Sequence, residues 1–163
     1  MTLPAPDLGA ARHLWDNYRA ARPDLVRDEA MPPVEYFGDH PALADELLGL
    51  VVSGRKRATA TLSLEFTVEN EPLPRIGDHW IACDGTGTAR LVLRSTALRL
   101  GTIADADEDF ARAEGEDDGS LESWLASHRR YWQRVAAASG FEFTGTSEIV
   151  FEHFEVVWPR PVS

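Results

Sequence analysis

The sequence predicts an α+β domain built on a curled antiparallel sheet, and three observations carry that prediction. First, residues 58–63 alternate: Ala58, Ala60 and Leu62 face one way, Thr59, Thr61 and Ser63 the other, the period of a strand. Second, Asp84-Gly85-Thr86-Gly87 joins two runs rich in apolar and β-branched residues, 79–83 and 89–100, which is a hairpin pattern. Third, residues 120–139 place Leu121, Trp124, Leu125, His128, Trp132, Val135 and Ala136 on one helical face, and Gly140 closes the helix. The strands do not alternate with regular helical crossovers, so an antiparallel sheet is expected rather than a βαβ series.

The elements follow in order. Leu8, Ala11, Leu14, Trp15 and Tyr18 mark an amphipathic helix ending near Arg22-Pro23. Pro32-Pro33 separates this extension, residues 1–33, from the main domain, residues 34–158. The arginines of the extension (Arg12, Arg19, Arg22 and Arg27) read as solvated helix-face charges or as the flank of a cleft. Tyr36-Phe37-Gly38-Asp39 leads into a helix over 41–52, with Leu43, Leu47, Leu48 and Val51 at helical spacing. Asp39 or His40 suits the helix start, and Gly54 stands where a C-cap glycine belongs. Arg55, Lys56 and Arg57 emerge there, at the end where cations complement the helix dipole. A strand is expected over 58–68, and Pro72, Pro74 and Gly77 then mark a loop. After the hairpin comes an acidic stretch, 104–118. A last strand spans 148–158, with Val150, Phe154, Val156 and Trp158 on one side, and the tail 159–163 is expected to fray.

Composition narrows the function classes. The chain has 163 residues and a net charge of −11, which argues against a surface that grips a nucleic-acid backbone throughout. A basic cleft on an acidic body is compatible, because fields act locally over about 8 Å in physiological salt. The single cysteine, Cys83, excludes a disulfide framework and a thiolate metal site. The histidines at 13, 40, 79, 128 and 153 show no ligand spacing, so neither metal nor cofactor is expected. Asp105, Asp107, Asp109 and Glu116 match the acidic positions of a calcium loop, but Phe110 stands where that loop needs glycine. There is no phosphate-cradling glycine loop and no nucleophile elbow. No apolar run is long enough to cross a membrane, and the N-terminus does not read as a secretory signal. The cytoplasm is the expected location.

Two motifs remain: Gly54-x-Lys56-x-x-Thr59 and Ala113-Glu114-Gly115-Glu116, in which Glu114-Gly115-Glu116 reads as an acidic helix start. With Phe37-Gly38-Asp39, Leu43-Ala44-Asp45-Glu46-Leu47, Leu73-Pro74-x-x-Gly77-Asp78, Phe110-Ala111, Ser120-Leu121-x-x-Trp124 and Glu152-x-Phe154, they form an ordered set that resembles the ASCH domain, a branch of the PUA-like superfamily. The resemblance runs from about Tyr36 to Val157. It implies a PUA-like curled β-barrel with flanking helices, a cleft beside the G-x-K-x-x-T strand, and RNA or a nucleoside-type small molecule as partner. A small bacterial ASCH protein hydrolyses N4-acetylcytidine with the motif lysine, the motif threonine and the second glutamate of A-E-x-E. Another ASCH protein acts as a ribonuclease. The matching positions, Lys56, Thr59 and Glu116, are therefore the expected catalytic residues. Phe37, Asp39, Arg55, Arg57 and Thr61 are the expected substrate-binding ones. Many relatives carry arginine at the position of Thr61, and Arg55 or Arg57 is the available substitute.

The chemistry fits such a set. A threonine hydroxyl reacts only when a base takes its proton. Lys56 could be that base if the cations Arg55 and Arg57 disfavour its charged form. Alternatively it stays charged and stabilises an oxyanion while Glu116 acts as acid or base. Acidic neighbours are expected to raise the Glu116 pKa. As a strand-edge residue, Lys56 is expected to matter little to the fold. A non-catalytic RNA-binding module and a domain sensing a small ligand or protein partner are the competing readings.

Overall fold

The computed structural model describes residues 2–26 and 30–160; Arg27 and the tail residues 161–163 lie outside them. The elements are α1 (Leu8–Ala21), β1 (Val34–Tyr36), α2 (Pro41–Val52), β2 (Ala58–Leu62), α3 (Ser63–Val68), β3 (His79–Cys83), β4 (Ala89–Gly101), a 3-10 turn (Ile103–Asp105), α4 (Glu108–Glu114), α5 (Leu121–Ala138) and β5 (Ile149–Trp158). The strands hydrogen-bond in the order β1-β3-β4-β5-β2. β3 pairs antiparallel with β4 and β2 antiparallel with β5, while β1 joins β3 in parallel. The predicted curled α+β sheet is therefore present, but it is mixed. β1 has three residues, too few for a period of two to register in the sequence.

The chain divides into two compact units. The first holds residues 1–52, 77–94 and 155–163, the second 53–76 and 95–154. In the first, α1 begins where the Asp7 side chain accepts the Ala10 N–H at 3.0 Å. Its Ala11, Trp15 and Tyr18 pack with Ile81, Val92 and Val157. Cys83 is fully buried here, and burial, aided by the charge of Asp84, pushes its thiol up to about 11.

In the second unit, Ala58, Leu62, Ile149 and Phe151 form a core with Phe110 of α4 and with Trp124 and Trp132 of α5. Phe110 meets Phe151 edge to face at 5.0 Å. The Ser120 hydroxyl accepts the Ser123 N–H at 3.1 Å, which starts α5 where the sequence places it. The expected strand 58–68 is half right. β2 stops at Leu62, and 63–68 turns into α3 because the Glu65 carboxylate accepts the Leu62 N–H at 3.0 Å. That contact satisfies a donor at a helix start. Among the described residues, no helix is long and apolar enough to cross a membrane.

Candidate active site

The motif segment owes its path to two backbone hydrogen bonds in the second unit. Gly54, just past α2, takes φ +82°, the left-handed cap expected there. The Arg57 N–H then donates to Ala113 O at 2.7 Å, and Arg57 O accepts from Phe154 N–H at 3.1 Å. Arg55 and Arg57 are exposed and Lys56 is 2% exposed. Its ammonium donates to Ala58 O at 2.9 Å. It lies 3.5 Å from Glu114 Oε2 and 3.6 Å from Glu116 Oε2. The sequence led us to expect a strand-edge lysine of little structural weight. The lysine is instead the buried centre of an ion-pair cluster.

The two carboxylates arrive by one turn of chain. The sequence suggests a helix start at Glu114-Gly115-Glu116, but Glu114 is the last residue of α4. A carboxylate at a helix C-terminus opposes the dipole, and the Lys56 ammonium compensates it. Gly115 caps α4 at φ +69° and brings Glu116 back beside Glu114. A β-carbon at Gly115 would run into the Arg55 carbonyl. Gly115→Ala is thus expected to cost about 1–2 kcal/mol for the left-handed backbone alone, and more for the clash. Chemical denaturation measures it, and an unchanged midpoint would show that this turn does not hold the site.

His128 completes the cluster from α5. Its Nε2 stands 3.2 Å from Glu114 Oε2 and 3.7 Å from Glu116 Oε2. Its Nδ1 donates to the Trp124 carbonyl at 2.9 Å, and its ring stacks on the Trp124 ring at 4.0 Å. Burial alone would raise the Glu114 carboxyl, but the Lys56 ammonium and His128 hold it well below the usual carboxylate range. Burial and the Glu114 charge push Glu116 the other way, up to about 9, against the pull of Lys56. The surroundings therefore drive the two carboxyls apart, Glu114 toward its ionised form and Glu116 toward its protonated form.

Glu114, Glu116 and His128 also bring one potential ligand atom each within 4.8 Å of one another. The Lys56 ammonium already occupies the cationic role among these oxygens, so the donor set suits a proton and an ammonium better than a metal ion.

Of the predicted catalytic residues, Lys56 and Glu116 come together. Thr59 sits on β2 opposite Glu152 of β5, and Thr61 opposite Val150. Directly opposed residues share a face, so the Thr59 side chain neighbours Glu152. Glu152 is 6% exposed and accepts the hydroxyl of the fully buried Ser95 at 2.9 Å. Arg55 donates to the Asp117 carbonyl at 2.6 Å. Phe37 and Asp39 belong to the first unit. Phe37 is buried with its ring 4.9 Å from that of Trp80, and Asp39 is half-buried. At the start of α2 the His40 ring accepts the Leu43 N–H at 3.3 Å. Sequence reasoning assigned no role to Glu114, His128 or Glu152. The acid at the end of a helix and the histidine on an apolar helix face were the available signals.

The model of the ASCH domain matches residues 34–158. The chain belongs to the ASCH domain family. Two solved structures resemble it over nearly its whole length. A protein from Enterococcus faecalis V583 is 30% identical with a TM-score of 0.82, covering 92% of this chain and 89% of its own. The ASCH domain from Lactobacillus crispatus JV V101 is 25% identical with a TM-score of 0.78, covering 96% of this chain and 99% of its own. No curated protein matches the chain. The Lys56 cluster of this ASCH domain lies wholly within the matched span.

Proposed function

We propose that this ASCH domain is a hydrolase acting on RNA or on a modified nucleoside such as N4-acetylcytidine, with Lys56, Thr59 and Glu116 as its catalytic residues. The observation that supports the reading is the split pair of carboxylates around one buried ammonium. Groups whose surroundings drive their pKa values apart are suited to acid–base work at one pH. A protonated Glu116, the most solvent-open of the four side chains at 20%, can give its proton to a leaving nitrogen or oxygen. Lys56 supplies positive charge for the developing oxyanion. With carboxylates rather than arginines beside it, this role suits Lys56 better than that of a neutral base. Thr59, beside the Glu152 carboxylate, supplies a hydroxyl whose proton has an acceptor nearby. Arg55, Arg57 and Thr61 hold the substrate on the strand side, and Phe37 and Asp39 are kept as substrate-binding candidates. The cytoplasm is the proposed compartment.

Incubation with acetylated cytidine and, separately, with single-stranded RNA tests the proposal. Product from either is expected, and intact substrates after prolonged incubation with folded protein would overturn it. A second reading, a non-catalytic RNA-binding module, draws on the near-complete burial of Lys56 and Glu114. The two separate by salt. Affinity for single-stranded RNA through phosphate contacts falls steeply between 50 and 200 mM salt, by about 300-fold for six contacts. Hydrolysis of an uncharged nucleoside is expected to change less than about twofold over that range.

A further inference from the structure

The Lys56 cluster contains one basic group that the proposed reaction does not use. We propose that His128 is a positioning residue that shares a single exchangeable proton with the Glu114–Glu116 carboxylate pair, through Nε2, and so sets when Glu116 can act as an acid. The inference rests on the hydrolase reading only for its consequence; the proton sharing itself stands on geometry.

The tautomer comes first. The Trp124 carbonyl can only accept, so the 2.9 Å contact requires a hydrogen on His128 Nδ1. In a neutral ring Nε2 is then a bare lone pair, and it faces Glu114 Oε2 at 3.2 Å and Glu116 Oε2 at 3.7 Å. Both Glu114 oxygens and Glu116 Oε2 are buried, and the Glu114 side chain pairs with those of Glu116 and His128. Lone pairs crowded in this way repel unless a proton lies among them. The charge count agrees. Two carboxylates and one Lys56 ammonium leave one negative charge over, which one further proton neutralises. That proton can sit on Glu116 or on Nε2 with the same total charge. The other groups around the ring do not compete for it. Trp124 and Trp132 pack on its faces and edges, Lys56 is the fixed cation, and Asp117, held by the Ser127 hydroxyl at 2.8 Å, adds negative charge beside Glu116.

The proton balance is closed. When Glu116 O–H passes its proton to a leaving atom, Glu116 becomes a carboxylate. With the one shared proton gone, Nε2 keeps its bare lone pair and the ring stays in its Nδ1–H neutral form. Solvent restores the proton through Glu116, the open member of the set. Two groups coupled in this way lose their protons in macroscopic steps that belong to the pair.

Carboxyl-carbon and imidazole-nitrogen NMR of the full chain, labelled in Glu and His, tests the coupling across pH 4 to 11. In the unaltered protein the Glu116 carboxyl signal is expected to move in two steps, with the His128 ring signals moving in the same two. His128→Asn keeps a donor for the Trp124 carbonyl but deletes the group facing the carboxylates, whereas His128→Gln places an amide there that carries no exchangeable charge. Both are expected to leave one step at Glu116, displaced by at least tenfold in proton concentration. A single step at each residue of the unaltered protein, at unrelated pH values, would overturn the proposal, and this measurement needs no variant to fold. If the steps coincide while neither acetylated cytidine nor RNA is hydrolysed, proton sharing stands and the hydrolase reading falls.

Discussion

Lys56→Ala is expected to lower stability by about 3–5 kcal/mol and to abolish turnover. The loss in stability follows from what stays behind. Glu114 is 1% exposed and Glu116 nearby is largely buried, so removing the ammonium leaves carboxyl groups without their counter-charge. Breaking a buried pair from one side typically costs that much, more than the pair itself contributes. Lys56→Arg is expected to fail as well, since a broad planar guanidinium does not fit a space shaped around an ammonium. The double variant Lys56→Met with Glu114→Gln removes the charge on both sides and is expected to recover at least half of the loss. Urea titrations of Lys56→Met, Glu114→Gln and the double variant form a cycle that reports the coupling directly. An additive cycle, or a Lys56→Ala protein as stable as the original, would contradict the buried ion pair. Normal turnover by that variant would remove Lys56 from the chemistry.

The second large effect is at Glu116. Glu116→Gln is expected to reduce turnover by about 10²–10⁴, the usual consequence of deleting a positioned acid, with little loss of stability at neutral pH, because an amide replaces a carboxyl whose surroundings favour its uncharged form. The pH dependence carries a definite sign. The folded chain keeps the Glu116 proton up to about 9, whereas the unfolded chain releases it near the ordinary value of 4.5. Between those values the folded state binds more protons, so this group's contribution to stability falls as pH rises. Glu114 has the opposite shift, but its gain is complete once pH passes the ordinary carboxylate value. Melting temperature should therefore decline from about pH 5 to pH 9 in the original protein and decline less in Glu116→Gln. Parallel curves would show that Glu116 titrates normally.

The fold was legible where periodicity had room to repeat. α5 runs for 18 residues and lies within its expected span of 120–139, and β3 matches 79–83 residue for residue. β1, with three residues, left no repeat, and α3 was hidden because Glu65 acts on the chain three residues back, which alternation does not reveal. The site was legible as motifs and not as contacts. Lys56 and Glu116 meet because Gly115 reverses the chain after α4. His128 enters from a helix whose apolar pattern marks the residue as core. Thr59 and Glu152 become neighbours through strand register alone, across 93 positions of sequence. Side-chain charge was equally hard to foresee. The arginines flanking Lys56 suggest a cationic environment, but they point outward and the lysine is surrounded by acids.

The lone thiol of Cys83 gives the molecule a built-in clock. A fully buried sulfur whose proton is held up to about 11 is nearly inert toward thiol reagents at neutral pH, since both access and thiolate are lacking. Modification must wait for the strands around it to part, so the labelling rate under native conditions counts those openings. Because Cys83 lies in the first compact unit and the ionisable cluster in the second, the same clock, read in Lys56 and Glu116 variants, registers whether damage at one is felt at the other.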